Sequence, residues 1–159
     1  EYIIRVSELD FRAASEAALK QAEIIFSQSQ LDAVLPLIRE RVKTYSEIAP
    51  LSRFLFVDDY EYDEKALKKK LIKEGVPETL AMLRQLLLEI DPFEAAPLEC
   101  LLHDYVEQSG KGFGEVMPPL RVCISGEQGG PDLCLVLEVL GRKEVIRRLD
   151  RAVAKFFRN

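Results

Sequence analysis

Apolar residues recurring three and four apart constrain this chain more than any other feature. Leu31, Val34, Leu35, Ile38 and Val42 follow the i, i+3, i+4, i+7, i+11 stripe of an amphipathic helix. Strand signals are scarce: Val and Ile seldom alternate with polar residues, and no Asn-Gly or Asp-Gly hairpin turn occurs. The expected fold class is all-α.

Helix signals recur along the whole length. Ser7 with Asp10 opens a segment carrying Leu9, Ala13, Ala17 and Ile24 that ends near Phe26. Ser29 with Asp32 makes a second capping pattern, and Pro36 is accommodated inside that helix with a kink. The stretch "TYSEIAPLSRFLFVDDYEYD" reads as a connection with an acidic cluster from Asp58 to Glu64. "EKALKKKLIKEG" is a helix capped at its end by Gly75, and Pro77 suits the first position of the next, through Ile90. A helix around Leu98 to Val106 closes at Gly110, and "GEVMPPLRVCIS" is expected to be helical in its second half. Pro131 opens a helix stopping at Gly141, and the last runs from about Arg142 to Phe156. About eight helices are therefore expected, with short linkers normal for an all-α protein.

Composition narrows the function classes. The 159 residues, 48% hydrophobic, suffice for one domain or two small ones. Cys100, Cys123 and Cys134 form no CxxC pair and read as reduced, cytosolic thiols, giving a cytoplasmic location. A single histidine, His103, argues against a histidine-based zinc site and reads as structural. No apolar run approaches the roughly 20 residues that span a bilayer, so no membrane partner is expected. The start at Glu1, without methionine, points to a piece of something longer.

Three stretches depart from a bland helical bundle. From Arg142 to Arg158 there are seven positive and two negative residues, a net of +5 in a chain whose net charge is −5. On a helical wheel Arg151, Lys155 and Arg158 fall within about 80° of Arg147, with Arg148 at the edge. That stripe is either a solvated face or a phosphate-facing one. Arg121 sits between Leu120 and Val122 after Pro118 and Pro119, so its stem is packed and its head directed. It either pairs with a carboxylate or presents a planar guanidinium to a base edge or phosphate. Finally, Arg39, Arg41 and Lys43 project away from the core positions Leu37, Ile38 and Val42, for solubility or for contact.

"LIRERVKTYSEI", "FLF", "DYEYDEKALKKKL", "PPLRVCISG", "GPDL" and "LEVLGRKEVIRRLDRAV" occur in this order. Their order and spacing resemble the C-terminal anticodon-binding region of bacterial-type glutamyl-tRNA synthetases. The opening "EYIIRVSELDF" is similar to the segment that follows that family's catalytic part. The resemblance implies two small helical subdomains forming an α-helix cage, here residues 1–53 and 54–159, that grip the anticodon loop. It assigns Arg41 and Arg121 to reading anticodon bases, with Gly130, Pro131 and Leu133 packing on them. Lys43, Arg147, Arg151 and Lys155 are expected to hold the tRNA backbone. Two departures stand out: Asp132 where a glycine is common, and Gly130 where a hydroxyl residue is frequent. The two reading arginines are expected to meet beside the Pro131 turn.

The implied function is tRNA anticodon recognition within a glutamate–tRNA ligase, a class I enzyme that attaches glutamate to tRNA with ATP and magnesium. The chain itself has no His-x-Gly-His signature and no Lys-Met-Ser-Lys loop, so this fragment is expected to be non-catalytic and to carry no cofactor or metal. Its expected partners are glutamate tRNA, with glutamine tRNA as a second candidate, and an N-terminal catalytic domain of the same chain, in a monomer. The alternative is a helical protein-interaction module that docks partners on amphipathic faces without binding RNA.

Overall fold

The computed structural model describes residues 7–157. Those residues are helical throughout, with no strand among them. They divide into two compact units, the first ending at Tyr60 and the second beginning at Glu61. The expected division at 53/54 would cut through a helix, because α3 (Ile48–Phe56) packs against the two helices before it.

The first unit comprises α1 (Glu8–Gln21), α2 (Gln28–Arg39), a single 3-10 turn (Tyr45–Glu47) and α3. Ser7 caps α1 as the sequence suggests, its hydroxyl accepting from the Asp10 N–H at 3.1 Å. The cap of α2 differs from expectation. Ser27 and Gln30 form the reciprocal capping box, while Asp32 is held by Arg12 of α1. Leu19, Ile24 and Leu31 form a buried cluster against which Phe26, Leu35, Ala49 and Phe56 pack. The helix α3 lies where a connection was expected. Its buried stripe is Ile48, Ser52 and Leu55, and the central member is polar. Ser52 is tolerated there because its hydroxyl donates to the Ile48 carbonyl at 2.6 Å.

The second unit begins with α4 (Glu64–Ala66), which widens into one π turn over Leu67–Leu71. There follow α5 (Val76–Glu89), α6 (Ala95–Ser109), α7 (Phe113–Ser125), α8 (Leu133–Leu140) and α9 (Arg142–Phe156). Gly75 is the N-cap of α5, at φ +85°, rather than the end of the preceding helix, which stops at the π turn. The helix α7 is complete despite two internal prolines, each removing the N–H that would serve the carbonyl four residues back. Burial outweighs that loss: Val116, Leu120, Val122, Cys123 and Ile124 are all fully enclosed. From this position α7 packs against α5, α9 and the π turn, while α8 packs against α6 and α9.

Candidate nucleic-acid interface

In the second unit, Arg121, Gly130, Pro131 and Leu133 come together. Arg121 projects from α7 toward the loop leading into α8, and its Nη1 donates to the Pro131 carbonyl at 2.7 Å. Gly130 has φ +148°, a backbone region that disfavours side chains. A Cβ built on it would stand 3.1 Å from Arg121 Nη1. The guanidinium therefore seats against bare backbone, and glycine fits here where a hydroxyl residue would crowd it. Asp132 caps α8, its carboxylate accepting from the Leu135 N–H at 3.2 Å. Pro131 and Leu133 are buried, so they support the loop from beneath rather than standing open as stacking surfaces.

Beside this loop lies a cavity of about 270 Å3 whose walls include Arg121, Asp132, Leu133, Met117, His103 and Phe113. His103 and Phe113 meet edge to face at 4.7 Å between ring centroids. His103 is exposed, and Phe113 is 45% exposed. Exposed aromatic rings beside a guanidinium suit unpaired bases, which stack on planar groups. Phe113 is not among the residues expected from the sequence, although a lone aromatic between Gly112 and Gly114 is a usable signal. Cys134 also lines this cavity, and burial raises its thiol to about 11, so it stays protonated.

In the first unit, Arg41 and Lys43 follow the end of α2, and both are exposed. The Arg41 N–H closes the helix end on the Ile38 carbonyl at 3.0 Å. Glu47 accepts from the Lys43 N–H at 2.6 Å and from the Thr44 N–H at 3.0 Å, which fixes this corner. Those bonds, with the Lys43 bond the larger influence, hold the Glu47 carboxyl below its ordinary range. Arg39, by contrast, stacks over the Phe11 ring at 4.7 Å.

The basic stripe of α9 is largely engaged inside its own unit. Arg147 donates twice to Glu144, at 3.0 and 2.6 Å. Arg148, expected at the edge of a solvent-facing stripe, is 2% exposed; it donates to Glu144 at 2.8 Å and to the Ile124 carbonyl at 2.8 Å. Arg142 donates to the carbonyls of Leu88 and Ile90. Lys155 is exposed and sits over the Tyr62 ring at 5.3 Å, while Arg151 is half-buried. Arg158 lies outside the described residues. Among those residues no helix is long and apolar enough to cross a membrane.

Known proteins resemble this chain over most of its length. The family model of the anticodon binding domain matches residues 12–153. The chain is 37% identical over 134 residues to glutamate–tRNA ligase 2 of Caldicellulosiruptor saccharolyticus, covering 82% of this chain and 27% of that protein. It is 41% identical over 128 residues to the glutamate–tRNA ligase of Nitratidesulfovibrio vulgaris Hildenborough, covering 79% of this chain and 27% of that protein. A crystal structure of a glutamate tRNA ligase from Elizabethkingia meningosepticum superimposes with a TM-score of 0.83 at 26% identity, over 95% of this chain and 30% of that one. The chain thus spans under a third of these relatives. A family match across nearly all its described helices, on a helical fold shared with a solved tRNA ligase, places the chain in the anticodon binding domain family.

Proposed function

We propose that this chain is the anticodon-recognition part of a glutamate–tRNA ligase and binds glutamate tRNA. The observation that carries this is the cavity where Arg121, positioned by the Pro131 carbonyl, faces the exposed rings of His103 and Phe113. Arg121 supplies donors to a base edge or phosphate, the rings supply stacking surfaces, and Arg41 supplies a second exposed guanidinium from the first unit. Gly130, Pro131 and Leu133 shape the Arg121 loop, while Lys43, Arg151 and Lys155 contribute positive charge toward the backbone. Arg147 contributes less, being already bonded to Glu144.

ATP and magnesium belong to the part of the ligase that this chain does not span. Among the described residues, no group of three or more His, Cys, Asp or Glu could hold a metal ion. The proposed setting is a monomeric, cytoplasmic enzyme, with glutamine tRNA as the second candidate substrate.

Binding of the chain to a glutamate tRNA anticodon stem-loop, compared with the same stem carrying a scrambled loop, tests the reading. The matched loop is expected to bind more tightly. Arg41→Ala, at an exposed position, should reduce that preference by roughly 10-fold, in line with about 1–3 kcal/mol for a bidentate base contact. Equal affinity for the two loops would overturn the assignment.

A further inference from the structure

The cavity at Arg121 uses one side of α7. Phe113, Met117 and Arg121 repeat at i, i+4 and i+8, so they share a face. Glu115 and Pro119 stand roughly 200° and 240° round the helix from Phe113, and they line a separate cavity. Four lysines line this second cavity, of about 120 Å3, together with Glu74, Glu115 and small or apolar residues. Lys69, Lys70 and Lys73 come from the π turn and the residues after it, and Lys111 from the loop between α6 and α7.

The local backbone explains the gathering. The π turn is closed by the Ile72 N–H donating to the Leu67 carbonyl at 2.7 Å. Ala66 and Leu71, at either end, are fully buried, which anchors the turn and leaves Lys68, Lys69 and Lys70 along its outer edge. The chain then doubles back, with the Lys73 N–H donating to the Leu71 carbonyl at 2.9 Å, and Lys73 joins the same rim. Among the described residues none of these four lysines takes part in an ion pair. Two carboxylates line the cavity, and one of them, Glu115, already accepts from the Gly112 N–H at 3.2 Å. Set against Glu74 and Glu115, the four lysines leave the lining with a net charge of +2 in a chain of net charge −5, a local positive field that attracts an anion. Lysines bind phosphate as point charges, without the planar geometry that base reading needs.

The geometry points to a phosphodiester-binding surface, in which Lys69, Lys70, Lys73 and Lys111 hold the RNA backbone at a stretch distinct from the bases served by the Arg121 face. This rests on the tRNA assignment above and adds to it a second contact on the opposite side of α7. It also supplies a backbone grip that α9 provides poorly, because Arg142, Arg147 and Arg148 are committed to bonds within the unit.

The test titrates full-length glutamate tRNA, and the same tRNA with a scrambled anticodon, against the chain and two variants, Lys69→Ala/Lys70→Ala/Lys73→Ala and Lys111→Ala. The expected result is a several-fold loss of affinity for both RNAs alike, with the matched-to-scrambled ratio preserved. The slope of log affinity against log salt should become shallower by roughly 0.7 to 0.9 for each phosphate contact removed. Lys73→Glu, at an exposed position, should weaken binding further while leaving the circular dichroism melt unchanged. Parental affinity and salt slope in all these variants would overturn the proposal, as would a lost ratio at unchanged slope. Failure of the tRNA assignment itself looks different: the unsubstituted chain then shows no preference for the matched anticodon.

Discussion

Arg121 illustrates how one side chain can organise a binding loop before any ligand arrives. Its hydrogen bond to the Pro131 carbonyl spans the ten residues that form the turn, and Gly130 gives it room. A guanidinium held this way loses little further freedom on binding, which favours affinity and register. Gly130→Ala is therefore expected to act twice, by forcing a side chain into a positive-φ conformation and by crowding Arg121 Nη1. The expected cost is about 1–3 kcal/mol in a urea denaturation series, with weaker RNA binding; an unchanged midpoint would show that the loop relaxes freely. That Arg121 has a packed stem was legible from its position between Leu120 and Val122. Its target was not, because that depends on how the chain returns at Pro131 and on a glycine backbone that no periodicity reveals. The place of His103 beside the Arg121 cavity is hidden for a related reason: the next helix brings Phe113 against it.

At the scale of elements, α9 shows why counting charges along a wheel misjudges a basic stripe. Its arginines lie on the expected side, yet Glu144 gathers two of them and Arg148 turns inward to the Ile124 carbonyl at the end of α7. A cation on the last carbonyls of a helix offsets their unmet acceptors and the negative end of the dipole. The Arg147 bond foremost, and Arg148 with it, lower the Glu144 carboxyl from an ordinary 4.5 to about 2. Because the folded value lies below the unfolded one, the resulting stabilisation is complete above pH of about 4.5 and is lost as pH falls toward 2. Thermal melts across that window should show Glu144→Gln with a flatter acid limb than the parent; parallel limbs would mean that Glu144 contributes nothing to acid sensitivity. The same contrast governs which helices were legible. α6 and α9 are long, and glycines stand just past the end of α6 and just before α9, so pattern and punctuation agreed. α3 was read as a connection because its buried stripe passes through Ser52, whose burial depends on a hydrogen bond to its own helix. α7 was read as half a helix because Pro118 and Pro119 are helix breakers in isolation, whereas here the buried face on both sides of them sustains the turn.

At the scale of the molecule, the two units differ in the means available to each for standing alone. The second closes on itself through its ends. Tyr62, near its start, packs edge to face on Phe156 of α9 at 4.9 Å, and the Asp63 N–H donates to the Gly126 carbonyl at 2.8 Å. Arg84 of α5 reaches Asp150 of α9 through two further bonds, at 2.6 and 3.1 Å. A chain comprising 61–159 therefore retains every element that α7 packs against, together with the cavities at Arg121 and the lysines. The first unit, ending at Tyr60, is of a size at which folding buries only about 60% of the surface an unfolded chain exposes. Its buried apolar core, from Phe11, Leu19, Ile24 and Leu31 through Val34, Leu37, Ile38 and Val42 to Ile48 and Leu55, is smaller than that of the second unit, so less stability remains after the entropy of ordering the chain. Expressed separately, 61–159 should give a cooperative thermal transition with a helical circular dichroism spectrum, while 1–60 should melt at a clearly lower temperature or be partly unfolded at the outset. Should 1–60 prove the more stable piece, the burial asymmetry between the two cores would not be what sets their stabilities, and the Tyr62–Phe156 closure would have to be worth less than its geometry suggests.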